Sequence, residues 1–211
     1  MSSKLMIGGF TLGICQTNSY FIHREGDTRC VFIDPADRGA ELYKELEKRG
    51  LTVEAILITH GHFDHILGVA EMKELSGAKV YAPETEKTVL SDVRVNLSST
   101  MGGKPVTLEA DVYVKEGDVL TFGDMSCKVL LTPGHTIGGC SFYFEKDKVL
   151  FSGDTLFYES IGRTDFPGGD MNTLLASVEE KIFTLPEEVK IYPGHGPDTT
   201  VEHEKRYNPF F

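Results

Sequence analysis

The chain of 211 residues lacks tryptophan and contains only four cysteines, which are Cys15, Cys30, Cys127 and Cys140. These cysteines are scattered and form no CxxC pair, so neither a disulfide framework nor a zinc knuckle is expected. Three of them fall within patterns typical of strands. We therefore expect buried free thiols in a reducing compartment, and the sequence favours a cytoplasmic protein.

Long hydrophobic runs and an excess of positive charge are also missing. No apolar run approaches the roughly 18 residues of a membrane-spanning helix. The chain has 32 acidic and 21 basic residues, which gives a net charge of -11. A field of that sign opposes binding to nucleic acid or to an anionic membrane unless a local basic patch overrides it. The sequence shows no such patch, so we expect neither partner, and the oligomeric state stays open.

The composition, with 40% hydrophobic and 25% charged residues, is that of an ordinary globular domain. We expect one domain over residues 1–211, because no linker-like stretch divides the chain. Each half contains strands and helices in a similar order, which indicates an α/β fold of two packed sheets with helices outside. The main helices are predicted at about residues 38–49, 64–75, 83–90 and 172–183. We interpret residues 92–110 as a long surface loop and a candidate lid.

Four apolar runs that are predicted to be buried strands each end in histidine or aspartate. The run at residues 55–58 leads into the sequence HGHFDH at residues 60–65, which holds three histidines and one aspartate. The other three runs lead to His135, Asp154 and His195. Side chains at the ends of neighbouring strands can converge on one edge of a sheet, so these seven residues predict a two-metal site.

The spacing within HGHFDH suggests how two metals would share the ligands. His60 and His62 are two residues apart, so in extended backbone both side chains point to the same side and can hold one metal. Asp64 and His65 lie where the chain turns into a helix and can serve a second metal. His135 and His195 can complete the two sets, and the two oxygens of Asp154 can bridge them.

The types of ligand favour a catalytic centre. A structural zinc site is closed by four ligands and typically includes cysteine, whereas this pattern has seven candidates and no cysteine. Nitrogen and oxygen ligands suit zinc, and they also suit iron or manganese. We expect two divalent metal ions, with zinc as the first choice. The other two histidines, His23 and His203, have no partners in the pattern and are expected at the surface.

On these residues the sequence resembles the metallo-β-lactamase fold superfamily across essentially its whole length. The resemblance implies an αββα sandwich of two packed mixed β-sheets with helices on the outer faces. It implies that one metal is held by His60, His62 and His135, and the second by Asp64, His65 and His195, with Asp154 bridging. Asp34 matches an acidic position near the site, where it would either orient a ligand or cap a turn.

Two segments, residues 153–157 and 162–166, are similar to the glyoxalase II (hydroxyacylglutathione hydrolase) group. The similarity implies a substrate-binding role for Arg163, although a solvent-exposed loop arginine is an equal alternative. In the expected hydrolytic mechanism Asp64 and Asp154 have catalytic roles. The chain resembles the compact members of this group, without the C-terminal helical domain that contributes glutathione contacts. Dinuclear β-lactamases use cysteine where this chain has Asp154, so antibiotic hydrolysis is not expected.

The resemblance therefore implies a metal-dependent hydrolase that cleaves an acyl thioester such as S-D-lactoylglutathione by attack of a metal-bound hydroxide. Its expected partner is this small-molecule thioester. Two alternatives share the same motifs and stay open: a mononuclear-iron persulfide dioxygenase and a lactone hydrolase.

Overall fold

The computed structural model describes residues 3–101 and 103–211. Within these ranges the first half of the chain forms a six-stranded mixed sheet. Its strands are β1 (Leu5–Leu12), β2 (Thr17–Arg24), β3 (Arg29–Ile33), β4 (Thr52–Leu57), β5 (Lys79–Pro83) and β6 (Val112–Val114). They lie in chain order across the sheet; the first three are antiparallel neighbours, and β3 to β6 run parallel.

The second half forms a second six-stranded sheet and a small two-stranded hairpin. These strands are β7 (Val119–Phe122), β8 (Met125–Leu131), β9 (Cys140–Phe144), β10 (Val149–Gly153), β11 (Leu156–Phe157), β12 (Ser160–Ile161), β13 (Lys190–Pro193) and β14 (Thr199–Thr200). The order across the large sheet is β14-β13-β10-β9-β8-β7, and β11 pairs with β12 in the hairpin. Only β10 and β13 are parallel in this sheet among the described residues.

The helices are short and lie on the outer faces. They are α1 (Gly39–Lys48), α2 (Phe63–Ile66), α3 (Val69–Ser76), α4 (Lys87–Ser91), α5 (Met171–Ser177) and α6 (Val201–Tyr207). A 3-10 turn at Glu84–Glu86 precedes α4, and a π-helical turn at Val178–Ile182 continues α5. None of the helices in the part of the chain that the structure describes has the length and apolar character needed to cross a membrane.

The alternation of side chains along the strands produces the four layers. In β4, Ile56 packs in the cluster that contains the buried faces of α1 and α3, while Leu57 packs between the two sheets. In β10, Leu150 faces α5 and Phe151 faces the inter-sheet core. Because successive strand residues point to opposite faces, each apolar strand contributes to two layers at once. This helix–sheet–sheet–helix arrangement confirms the predicted αββα sandwich.

The helix predicted at 64–75 is wrong in one respect, because it is two helices, α2 and α3. The break lies at Gly68, whose backbone N–H donates to the carbonyl oxygen of Pro35 at 2.8 Å instead of continuing the helix. A Cβ atom at Gly68 would lie only 2.9 Å from that oxygen, so the close approach requires glycine. A tertiary contact has therefore diverted one helical hydrogen bond.

One further expectation needs correction, and two elements were missed. Part of the 92–110 loop is not at the surface, because Asn96 and Ser98 are fully buried and the Asn96 side-chain amide donates to Val106 O at 2.8 Å. Residue 102 of this loop lies outside the described residues, and its role as a lid stays a prediction. The β11–β12 hairpin and the helix α6 were not among the predicted elements.

Candidate metal centre

All seven predicted ligands lie together at one edge of the two sheets. The first sheet supplies residues 60–65, which follow β4, and the second supplies residues after β8, β10 and β13. The two sheets are joined at this edge, where the N–H of Cys140 donates to the carbonyl oxygen of Thr59 at 2.9 Å. Backbone hydrogen bonding between the two sheets thus holds this edge together without the help of an ion.

The ligand atoms form three overlapping groups, each with all of its atoms within 4.8 Å of one another. The groups are His60, His62 and His135; His60, His65 and Asp154; and Asp64, His65 and His195. Asp154 Oδ2 lies 3.5 Å from His135 Nε2 and 3.2 Å from His195 Nε2. Asp154 therefore lies between the two sets that the sequence predicted, although the roles of these residues as ligands stay a prediction.

Hydrogen bonds on the outward nitrogens aim the imidazole rings at the centre. The Nδ1 atom of His65 lies 2.9 Å from a carboxylate oxygen of Asp34. The Nδ1 atom of His135 lies 2.7 Å from a backbone carbonyl oxygen, and that of His195 lies 3.1 Å from another. Each arrangement assigns the proton to Nδ1 and leaves Nε2 free to bind a cation, as is usual for histidine ligands of metals.

The inward-facing atoms fit a bound cation. His60 Nε2, His65 Nε2 and Asp154 Oδ1 are buried and have no hydrogen-bond partner in the described structure. His62 Nδ1 lies 2.9 Å from His135 Nε2, so two ring nitrogens face each other. Buried polar atoms without partners are costly, and a divalent cation would satisfy them. The donors are all nitrogen or oxygen, which suits zinc, iron or manganese.

Charges within the cluster support one another. Burial opposes the charged form of His195, but the nearby carboxylates of Asp154 and Asp64 raise its pKa to about 10. Burial likewise opposes ionisation of Asp154, yet His65 and His195 hold its pKa well below the ordinary range. Opposite charges in the cluster therefore favour one another. A metal ion binds only the deprotonated form of histidine, so the affinity of these residues for a cation should rise with pH.

Asp34 does both things that the sequence left open. One carboxylate oxygen accepts hydrogen bonds from His65 Nδ1 and, at 2.6 Å, from the Thr59 hydroxyl, while the other accepts from the Thr59 backbone N–H at 2.8 Å. It therefore orients His65, which is a predicted ligand, and also fixes the turn after β4. Its own backbone has φ 49°, a left-handed conformation that aspartate tolerates better than most residues.

Arg163 lies in the predicted place beside the site, but its guanidinium is already paired. It makes a bidentate ion pair with Asp165, with distances of 2.7 Å and 2.6 Å, and stacks on the Phe166 ring. Its backbone carbonyl is the group that accepts from His135 Nδ1. The structure therefore gives residue 163 a backbone role that the sequence did not indicate, and its contact with substrate stays a prediction.

Two polar residues beside the site were missed. The Thr17 hydroxyl donates to Asp64 Oδ2 at 2.7 Å, and Glu86 is fully buried next to the loop that carries His60 and His62. Both lie far from the motif in sequence, at the start of β2 and in the turn before α4, and no spacing rule connects them to it. His23 and His203, expected at the surface, are half-buried and belong to none of the ligand groups.

A sequence model described as the Metallo-beta-lactamase superfamily matches residues 12–195, which is most of the chain. The chain belongs to this superfamily. The resemblance that the sequence suggested is thereby confirmed, and so is its fold.

Two relatives cover nearly the whole chain. It is 40% identical to the "Probable metallo-hydrolase YqgX" of Bacillus subtilis (strain 168), over 94% of both chains. It is 32% identical to "Hydroxyacylglutathione hydrolase GloC" of Haemophilus influenzae, over 88% of this chain and 89% of the relative. The first name is that of a metallo-hydrolase and the second is that of a hydrolase.

Two solved structures share the fold closely. The B3 metallo-beta-lactamase BLEG-1 superposes with a TM-score of 0.92 at 42% identity, covering 97% of this chain and 99% of the other. A di-iron-bound form of TTHA1623 gives a TM-score of 0.85 at 36% identity, and the match covers 97% of this chain and 100% of the other. The second structure holds two metal ions within this fold.

Proposed function

We propose that this member of the superfamily is a dinuclear metal-dependent hydrolase of acyl thioesters such as S-D-lactoylglutathione. The observation that carries the proposal is the pair of three-residue donor groups with Asp154 between them. His60, His62 and His135 would hold one cation, and Asp64, His65 and His195 the other. Cations held there would lower the pKa of bound water from 15.7 to about 7, which would make hydroxide available at neutral pH.

The chain's own residues would position the reactants. Asp154 would fix the distance between the two groups, because its carboxylate faces a histidine of each. Asp64 would orient the attacking water, since its Oδ2 atom is held in place by the Thr17 hydroxyl. A thiolate leaves from a thiol of pKa about 8.5, so no strong general acid is required. A site made almost wholly of candidate metal ligands would therefore suffice for this chemistry.

A cleft beside Asp64 could receive the substrate. It has a volume of about 510 Å³, which is in the range of small-molecule sites. Apolar side chains of Ile14, Phe63 and Leu67 line it together with charged groups of both signs. The basic ones are Arg38 and Lys104, and the acidic ones are Asp37, Glu41, Asp64 and Glu71. The apolar part suits an acyl chain, and the charges of both signs suit a molecule that carries an amino group as well as carboxylates. This lining supports a small-molecule thioester as the partner, whereas the net charge of -11 favours neither nucleic acid nor membrane.

The direct test is hydrolysis without oxygen. The chain, loaded with zinc under anaerobic conditions, is expected to cleave S-D-lactoylglutathione and to contain two zinc ions per chain by elemental analysis. Zinc has no redox chemistry, so turnover under these conditions can only be hydrolytic. A protein that is inactive with zinc on every thioester, yet consumes oxygen with iron and glutathione persulfide, would establish the dioxygenase alternative instead.

β-Lactam hydrolysis is a second candidate because of the likeness to BLEG-1. The sequence expectation against it rests on Asp154 in place of cysteine and stays a prediction. Assays of a chromogenic cephalosporin and of a simple lactone on the same zinc-loaded sample compare the three reactions. The thioester is expected to have the highest kcat/KM, and a higher value for the β-lactam or the lactone would reassign the function.

Arg163 provides a prediction about substrate binding. Arg163→Ala is expected to raise KM for an anionic thioester by about tenfold and to change kcat by less than about twofold, because the contact is remote from the reacting bond. The increase is modest because the guanidinium must first release Asp165. Steady-state kinetics of the purified variant measures both constants.

Arg29 offers a matched control, since it makes the same kind of ion pair with Asp27, two residues away, at the opposite end of β3 from Asp34. Arg29→Ala should leave both constants unchanged. If KM for the thioester is equal in the Arg163 and Arg29 variants, residue 163 is not a substrate contact.

A further inference from the structure

Glu86 is a buried carboxyl group that the proposed chemistry does not use. Its side chain is fully buried. One carboxylate oxygen accepts a hydrogen bond from the backbone N–H of Gly61 at 2.7 Å, and the other accepts from the N–H of Gly138 at 2.8 Å. Burying a carboxyl group is costly, and the two hydrogen bonds offset only part of that cost. A buried glutamate at this position therefore calls for an explanation.

The two glycines belong to the two loops that carry the first donor group. Gly61 lies between His60 and His62, and Gly138 lies three residues after His135. These loops come from different sheets. Glu86 is thus a single side chain that joins the backbone of both ligand loops.

The residues on either side of Glu86 also pack closely against both loops. A Cβ atom at Gly138 would lie 2.3 Å from the Thr85 hydroxyl oxygen, and one at Gly61 would lie 2.9 Å from a methyl carbon of Val89. The Thr85 hydroxyl also donates to the carbonyl oxygen of Gly138 at 3.1 Å. The turn before α4 thus contacts the His135 loop and α4 contacts the His60–His62 loop, and the Glu86 carboxylate is the group that bonds to both loops.

From this geometry we propose that Glu86 is a positioning residue, which sets the spacing between the His60–His62 loop and the His135 loop and so determines the affinity for the metal held by these histidines. Only a side chain with two acceptor oxygens can receive both N–H groups. The inference rests on the metal assignment in the proposed function. It adds a residue that touches neither the metal ligands' side chains nor the substrate.

The test compares Glu86→Gln with Glu204→Gln. Glutamine keeps the shape of the side chain but has one acceptor oxygen, and its NH2 group would face the other N–H donor. Glu204 is the control because it is also fully buried and also bonds to a backbone N–H, that of Glu159, but contacts no ligand loop. Competition with a chelator measures the affinity for the first zinc ion, and the absorption spectrum of the cobalt-loaded protein reports the ligand geometry.

Glu86→Gln is expected to lower the affinity for the first zinc ion by about 10- to 100-fold, as is typical of groups that support metal ligands, and to alter the cobalt spectrum. Glu204→Gln is expected to lower the thermal midpoint and to leave both metal readouts unchanged. Equal zinc affinities for Glu86→Gln, Glu204→Gln and the unmodified chain would overturn the proposal. An unmodified chain that binds no metal would instead overturn the proposed function.

If Glu86→Gln does not fold, Glu86→Asp takes its place. Aspartate keeps the charge and both oxygens but is one methylene shorter, so it can reach only one of the two loops. It is expected to fold and to bind zinc about tenfold more weakly. A folded Glu86→Asp protein with unchanged zinc affinity and an unchanged cobalt spectrum would show that the spacing of the loops does not depend on this side chain.

Discussion

Asp154→Ala is expected to abolish thioester cleavage, with kcat lower by on the order of a thousandfold, and to reduce the metal content from two ions to one per chain. The carboxylate is the group that faces both donor sets, through His135 and His195. Alanine offers no oxygen to either set. Metal ions contribute several kcal/mol of transition-state stabilisation, and each 1.36 kcal/mol corresponds to a factor of ten in rate.

Elemental analysis and steady-state kinetics on the same preparation measure this effect. Asp198→Ala is a suitable control, because Asp198 is an exposed carboxylate that follows the same strand as His195 and pairs with Lys190 rather than with the ligands. It should retain both the rate and the metal content. A folded Asp154→Ala protein with two bound metals and an unchanged rate would contradict the bridging role.

Asp34→Ala is expected to have the second largest effect, although Asp34 is not a ligand. The substitution removes the acceptor for His65 Nδ1 and for both the hydroxyl and the backbone N–H of Thr59. Each buried donor left without a partner costs about 1–3 kcal/mol. The free energy of unfolding should therefore fall by several kcal/mol, and the affinity for the metal held by His65 should fall about 10- to 100-fold.

Thermal unfolding in the presence of a chelator measures the loss of stability. Competition with a chelator for zinc measures the loss of metal affinity. Asp147→Ala separates the two, because Asp147 forms an ion pair with the buried Arg24 and contacts none of the ligands. This control should unfold at a lower temperature and bind zinc normally. Equal zinc affinities for the Asp34 and Asp147 variants would show that Asp34 stabilises the turn and has no effect on metal binding.

The convergence of the seven predicted ligand residues could be read from the sequence. Four apolar strand runs each end within a few residues of a histidine or aspartate, and the spacing of residues 60–65 is specific. Local rules suffice here, because strand ends converge at a sheet edge whatever the details of packing. The alternating burial of Ile56 and Leu57 follows from the same local period, and so do the two sheets with helices outside.

The tertiary structure alone decided which other side chains support those ligands. Thr17, Glu86 and the orientation of Asp34 depend on contacts between segments that are 25 or more residues apart, such as the 25 residues between Asp34 and Thr59 and the 52 between Glu86 and Gly138. The break between α2 and α3 at Gly68 has the same origin, in a carbonyl group from residue 35. Propensity and spacing act within a few turns of the chain, whereas these hydrogen bonds form only when the packed layers bring distant backbone together.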